Sequence, residues 1–164
     1  MEQVERLTKF VVLFLVQVLI LNHIHLFQVA TPLLYVYFVV TFHRGMPKWI
    51  ILAWSFGLGL VIDMFSNTPG LAAGSMTLIG FIQPYLLERL IPRDSAENLK
   101  ASASTLGVSK FVTLCLILVG LYCLVFFALE AFSFFNWQLW LLRVVSSTVV
   151  TIVLIVAVES VRSR

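Results

Sequence analysis

Phe56-Gly57-Leu58-Gly59-Leu60-Val61-Ile62-Asp63-Met64-Phe65-Ser66-Asn67-Thr68-Pro69-Gly70-Leu71-Ala72-Ala73-Gly74 decides how this chain folds. It begins as an apolar helix, holds a single carboxylate, breaks at Asn67, Pro69 and Gly70, and resumes with small residues at helical spacing. Asn, Pro and Gly are turn formers, each for its own backbone reason. The stretch therefore predicts two apolar helices joined by a tight turn. Gly57 and Gly59 remove side chains from the first helix, and Gly70 and Gly74 do the same for the turn and the second. Inside a bilayer small residues let backbones approach and pack, so these four glycines are expected to bring the two helices close to their neighbours. Asp63 is the expensive residue, since a carboxylate at the centre of a bilayer costs about 2.5 to 3.5 kcal/mol and less near the surface.

Outward from this hairpin the chain stays apolar. Of its 164 residues 60% are hydrophobic and only 12% charged, with a mean hydropathy of +1.01, against about 45 to 50% apolar and about 25% charged for a soluble domain. A crossing needs roughly 20 apolar residues, the hydrocarbon layer being about 30 Å thick. Phe10 to Phe42 holds no Lys, Arg, Asp or Glu but is broken by Asn22, His23, His25, Gln28 and Pro32, which predicts two short crossings. Trp49 to Leu87 carries Asp63 as its single charge and predicts two more. Phe111 to Leu129 and Gln138 to Val158 supply a fifth and a sixth, the latter containing Arg143. The expected fold class is an all-α integral membrane bundle in one domain, with helices over about 9–24, 28–43, 48–65, 71–90, 109–130 and 138–159.

Positive charge orients that count, because Lys and Arg in short loops gather on the cytoplasmic side. With the N-terminus inside, Arg6, Lys9, Arg44, Lys48, Arg89, Arg93, Lys100, Lys110, Arg162 and Arg164 all fall in the cytoplasm and only Arg143 lies outward. Both termini are then expected inside, and the first helix is read as an uncleaved crossing rather than a signal peptide, since no small-x-small cleavage site follows it. The polar loop from Pro92 to Lys110 is expected to hold a helical turn capped by Asp94 or Ser95. Arg143, basic and within a membrane helix, needs a partner. Asp63 is expected to pair with it, with Glu130 as the competitor. Gln17 and Gln83 are expected to hydrogen-bond across helices, and Cys115 and Cys123, eight residues apart on one helix, are too distant for a disulfide.

The pattern Gly-Leu-x-x-Asp-x-x-Ser-x-x-Pro-Gly, filled by Gly59, Leu60, Asp63, Ser66, Pro69 and Gly70, resembles the rod shape-determining protein MreD family. The stretch Leu21-Asn22-His23-Ile24-His25-Leu26-Phe27 with Ala30-Thr31-Pro32 resembles the Bacteroidetes version of it. The resemblance implies a non-enzymatic scaffold of the cell-elongation machinery in the bacterial inner membrane. It implies an MreC-like bitopic partner, an indirect link to MreB filaments, and a RodA-type glycosyltransferase with its transpeptidase. It also implies a fold similar to the substrate-binding subunits of energy-coupling-factor transporters. Gly57, Gly59, Asp63, Ser66, Pro69, Gly70, Gly74 and Arg143 are the structural and interaction residues expected to matter.

An uptake subunit for a vitamin-like molecule is the alternative, with Asp63, Asn67, His23 and His25 near the outer face as its ligand-facing groups. Subunits of that type typically carry an Ala-x-x-x-Ala-like face on helix one, and Phe10 to Leu21 has neither Ala nor Gly. Catalysis would need paired carboxylates, a Ser with a base, or a metal cluster, and the sequence offers Asp63 alone. No cofactor or metal is expected. The basic residues are scattered rather than clustered with aromatics, which removes nucleic acid as a partner and leaves the lipid bilayer as the chain's surroundings.

Overall fold

The computed structural model describes residues 2–19, 34–67, 69–95, 99, 103–131 and 136–162. Among these the chain is helical and contains no strand: α1 Glu2–Leu19, α2 Val36–Val40, α3 Lys48–Ser66, α4 Leu71–Leu90, α5 Ala103–Leu106, α6 Val108–Ala131 and α7 Trp137–Arg162. Three of them, α3 over Lys48–Phe65, α6 and α7, are long and apolar enough to cross a bilayer. The 24 residues of α6 rise about 36 Å and the 26 of α7 about 39 Å, both more than the hydrocarbon thickness. The described residues are those of an all-helical membrane protein.

α3 and α4 follow the sequence closely because their ends are punctuated. Pro47 precedes α3 with extended ψ, Asn67 leaves it in the left-handed conformation, and its N–H returns to the Asp63 carbonyl, a common helix ending. Gly70 then takes φ +84°, which glycine adopts without steric cost, and α4 starts at the next residue. α4 is one residue longer than α3 but carries Gln83, Pro84, Glu88 and Arg89 in its second half.

The first pair of helices departs from expectation. α1 begins at Glu2 rather than near residue 9, because Lys9 pairs with Glu5 at 3.0 Å one turn back and such pairs favour helix ahead of the apolar run. Of the helix expected over 28–43, the structure describes α2, five residues that are all buried, followed by a turn at Thr41. Residues 20–33, including His23, His25, Gln28 and Pro32, lie outside the described residues. α2 sits at the centre of the bundle, packed by α1, α3, α4 and α6. An aromatic seam fastens α1 across it: Phe10 meets Phe38 and Trp54 edge-on, with centroids 5.8 and 5.6 Å away, and Phe14 meets Phe65 at 5.2 Å.

Candidate functional site

The site is built at the α3–α4 hairpin. Ser55, Gly59 and Asp63 recur every four residues and so share one face of α3; all three are buried. Opposite them α4 presents Ala72, Ala73 and, seven residues on, Gly80. A methyl added at Gly59 would sit 2.6 Å from the Ala73 Cα and 2.7 Å from the Ala72 carbonyl oxygen. At Gly80 it would meet Ser55 Oγ at 2.6 Å. The two backbones thus touch through a seam in which Ser55 fills the space over Gly80 and nothing fits over Gly59.

Asp63 is 3% exposed and reaches the start of the neighbouring helix. Its Oδ1 accepts the Ala72 N–H at 2.8 Å and its Oδ2 the Ala73 N–H at 2.9 Å. The first N–H groups of a helix have no partner within it, and in a bilayer no water replaces that partner. One carboxylate from α3 therefore satisfies two donors of α4 and places negative charge at the positive end of the α4 dipole. Charge-assisted hydrogen bonds contribute about 1.5 to 3 kcal/mol each, enough to offset the cost of burying an acid near the end of a membrane helix.

The opposite end of the bundle holds a second buried carboxylate. Glu159, also 3% exposed, lies three residues before the end of α7. Its Oε2 accepts the Tyr37 hydroxyl at 2.5 Å and its Oε1 the N–H of Ala103, first residue of α5, at 3.0 Å. Arg162 stands 3.8 Å from the same carboxylate and donates to the Tyr37 hydroxyl at 3.2 Å. This cluster ties α2, α5 and α7 together, with Glu159 receiving the first N–H of α5; residues 96–98, which a cap at Asp94 or Ser95 would serve, lie outside the described residues. Asp94 and Ser95 lie in a turn, closed by the Ser95 N–H to the Pro92 carbonyl at 3.1 Å.

No family model, no curated protein and no solved structure matches the chain.

The expected site residues divide according to this geometry. Gly59 and Asp63 meet α4 directly. Gly70 serves by its positive φ and has no atom within 4 Å of an added Cβ, and Pro69 lies exposed in the same turn. Ser66 is the last residue of α3. Gly57 and Gly74 pack against nothing within 4 Å, which corrects the expectation of close helix contact there. Gly57 is two positions from Gly59, so it points to the far side of α3, and Gly74 is one position beyond Ala73, outside the seam. Arg143 is not joined to Asp63. Among the described residues the ion pairs are Lys9–Glu5 and Arg162–Glu159, and Arg143 instead lines an open cavity between α6 and α7 with Glu130, Asn136 and Trp140.

Gln83 bonds across the bundle, its Nε2 donating to the Phe42 carbonyl at 3.2 Å. Cys115 and Cys123 are buried free thiols. Tyr35 and Tyr122, both buried, are joined hydroxyl to hydroxyl between the α2 end and α6. Sequence reasoning missed Glu159, Tyr37 and Gly80. The signals were Glu159 and Arg162 at i,i+3 spacing on one helix and the seven-residue step from Ala73 to Gly80.

Proposed function

We propose that this chain is a non-enzymatic scaffold of bacterial cell elongation, of the MreD type, that joins an MreC-like partner and MreB filaments to RodA-type and transpeptidase wall synthases. The observation that carries the reading is the fit between motif and hairpin. Gly59 allows backbone contact with Ala73, Asp63 closes the start of α4, and Gly70 supplies the left-handed turn, so Gly-x-x-x-Asp at one turn's spacing and Pro-Gly at the break each have a physical reason. Such a hairpin holds its two helices in backbone contact, with its carboxylate consumed internally. That suits a protein whose task is to be held against other membrane helices.

In this reading α1, the segment over 28–43, α3, α4, α6 and α7 make six crossings, in an arrangement similar to energy-coupling-factor substrate subunits. The termini and the 92–110 loop face the cytoplasm at the inner membrane, as ten of eleven basic residues favour. Recovery of the tagged chain from detergent, with identification of co-purifying proteins, tests it together with depletion in the native host. A bitopic partner and wall synthases with rounding of depleted cells are expected. Recovery of an ATPase module, with normal shape and loss of uptake of a nutrient, would transfer the assignment to transport.

A further inference from the structure

At the end of the bundle where α3 hands over to α4, α6 also ends and α7 begins. Between them lies an open cavity of about 260 Å³ lined by Phe127, Glu130, Asn136, Leu139, Trp140 and Arg143. An acid on α6 and a base on α7 share it without forming an ion pair within 4 Å, since the pairs among the described residues lie elsewhere. Glu130 and Arg143 face this cavity from opposite helices, so its walls offer an anion and a cation to a ligand of matching polarity.

The order of the charges along the bilayer normal is what selects the ligand. Glu130 is exposed and is the next-to-last residue of α6, at the aqueous edge. Arg143 is half-buried and six residues inside the start of α7, about 9 Å along the axis. A site with its cation deeper and its anion nearer the water mirrors a zwitterionic phospholipid headgroup, whose phosphate lies next to the glycerol and whose ammonium lies outermost. Arg is suited to phosphate because its planar fork offers paired N–H donors. Leu139 lies one turn outward of Arg143 on the same face of α7 and lines the cavity mouth, while Phe127, one turn deeper than Glu130 on α6, gives its inner end an apolar wall. Trp140 supplies an aromatic side of the kind found at membrane interfaces.

We infer that the α6–α7 cavity binds the headgroup of a phospholipid carrying a primary ammonium, of the phosphatidylethanolamine class, with phosphate on Arg143 and ammonium on Glu130. The primary ammonium has both a positive charge and N–H donors for the Glu130 carboxylate; a trimethylammonium has the charge without the donors, and a glycerol headgroup has hydroxyl donors without the charge. The lipid site stands whether or not the chain is a scaffold.

Native mass spectrometry of the full chain released from micelles holding equal amounts of phosphatidylethanolamine, phosphatidylcholine and phosphatidylglycerol of matched acyl chains tests it. Retention of the ethanolamine lipid about tenfold over the glycerol lipid is expected, the factor one charge-assisted hydrogen bond supplies. Glu130→Gln, at an exposed position, should remove that preference by bringing retention of the ethanolamine lipid down to that of the glycerol lipid. Arg143→Gln should lower retention of all three, and Arg143→Lys should restore part of it. Equal or stronger retention of phosphatidylglycerol by the parent chain, or an unchanged preference in Glu130→Gln, would overturn the site. Soluble O-phosphoethanolamine should fail to displace the bound lipid at equal concentration; displacement would assign the cavity to a free zwitterion instead.

Discussion

The Asp63 and Glu159 ends of the bundle solve the same problem with different partners. Each buries a carboxylate near the C-terminal end of a long helix and uses it to receive backbone N–H groups from the first turn of another element. At Asp63 both oxygens are taken by backbone donors, which are fixed in direction and can only donate. At Glu159 one oxygen faces a backbone N–H and the other a tyrosine hydroxyl that is also an acceptor for Arg162. A hydroxyl rotates and can either donate or accept. The first carboxylate is therefore irreplaceable by chemistry of the same shape, whereas the second belongs to a network that can reorganise.

Asparagine and glutamine separate the two. Asp63→Asn must aim an amide NH₂ at a backbone N–H, two donors facing each other within the membrane. Its expected loss is about 2 to 4 kcal/mol, a charge-assisted bond together with an unsatisfied buried donor, with Asp63→Ala losing slightly more. Glu159→Gln can keep its Oε1 on the Ala103 N–H while the Tyr37 hydroxyl turns to accept from the amide, so its expected loss is about 1 kcal/mol. Thermal unfolding in detergent reads both. Equal losses at the two positions would break the comparison.

The glycine seam sharpens it further. Gly59→Leu forces a side chain against the Ala72 and Ala73 backbone, which cannot retreat without dragging α4 off the Asp63 carboxylate. Overpacking typically costs about 1 to 3 kcal/mol, and here the cap is lost with it, so the upper part of that range is expected. Gly57→Leu, two positions away with nothing within 4 Å, should change the melting temperature little. A variant pair that melts alike would show that the hairpin is not in backbone contact.

How much of this could be read from the residues follows from where the partners lie. α3 and α4 were legible at 48–65 and 71–90 because Pro47, Asn67, Pro69 and Gly70 are backbone signals. The start of α1 was not, since hydropathy stops at Lys9 while the Glu5–Lys9 pair carries the helix further. Asp63 announced itself by its cost in a bilayer, but its partner could not be read, because a backbone N–H has no identity in a sequence. That is why Arg143, the visible cation, is the natural and mistaken choice of mate. Glu159 follows an apolar run and reads as a solvated helix end; only the folded position of Tyr37, over a hundred residues earlier, makes it a buried centre.

The smallest expected effect tests that mistaken pairing. If Asp63 and Arg143 formed a buried ion pair, removing one would strand the other at about 3 to 5 kcal/mol, and the double change would cost much less than the sum. In the structure Asp63 is occupied by α4 and Arg143 faces the α6–α7 cavity with Glu130. Their described contacts lie on different elements, and sites without shared partners add within about 0.3 to 0.5 kcal/mol. Asp63→Asn should be strongly destabilising, Arg143→Gln mildly so, and the double variant should equal their sum when measured by thermal unfolding in one detergent. A coupling of about 1 kcal/mol or more would mean that the Arg143 guanidinium reaches the hairpin after all, and the Asp63 end would then be a three-part network like the one at Glu159 rather than a fixed cap.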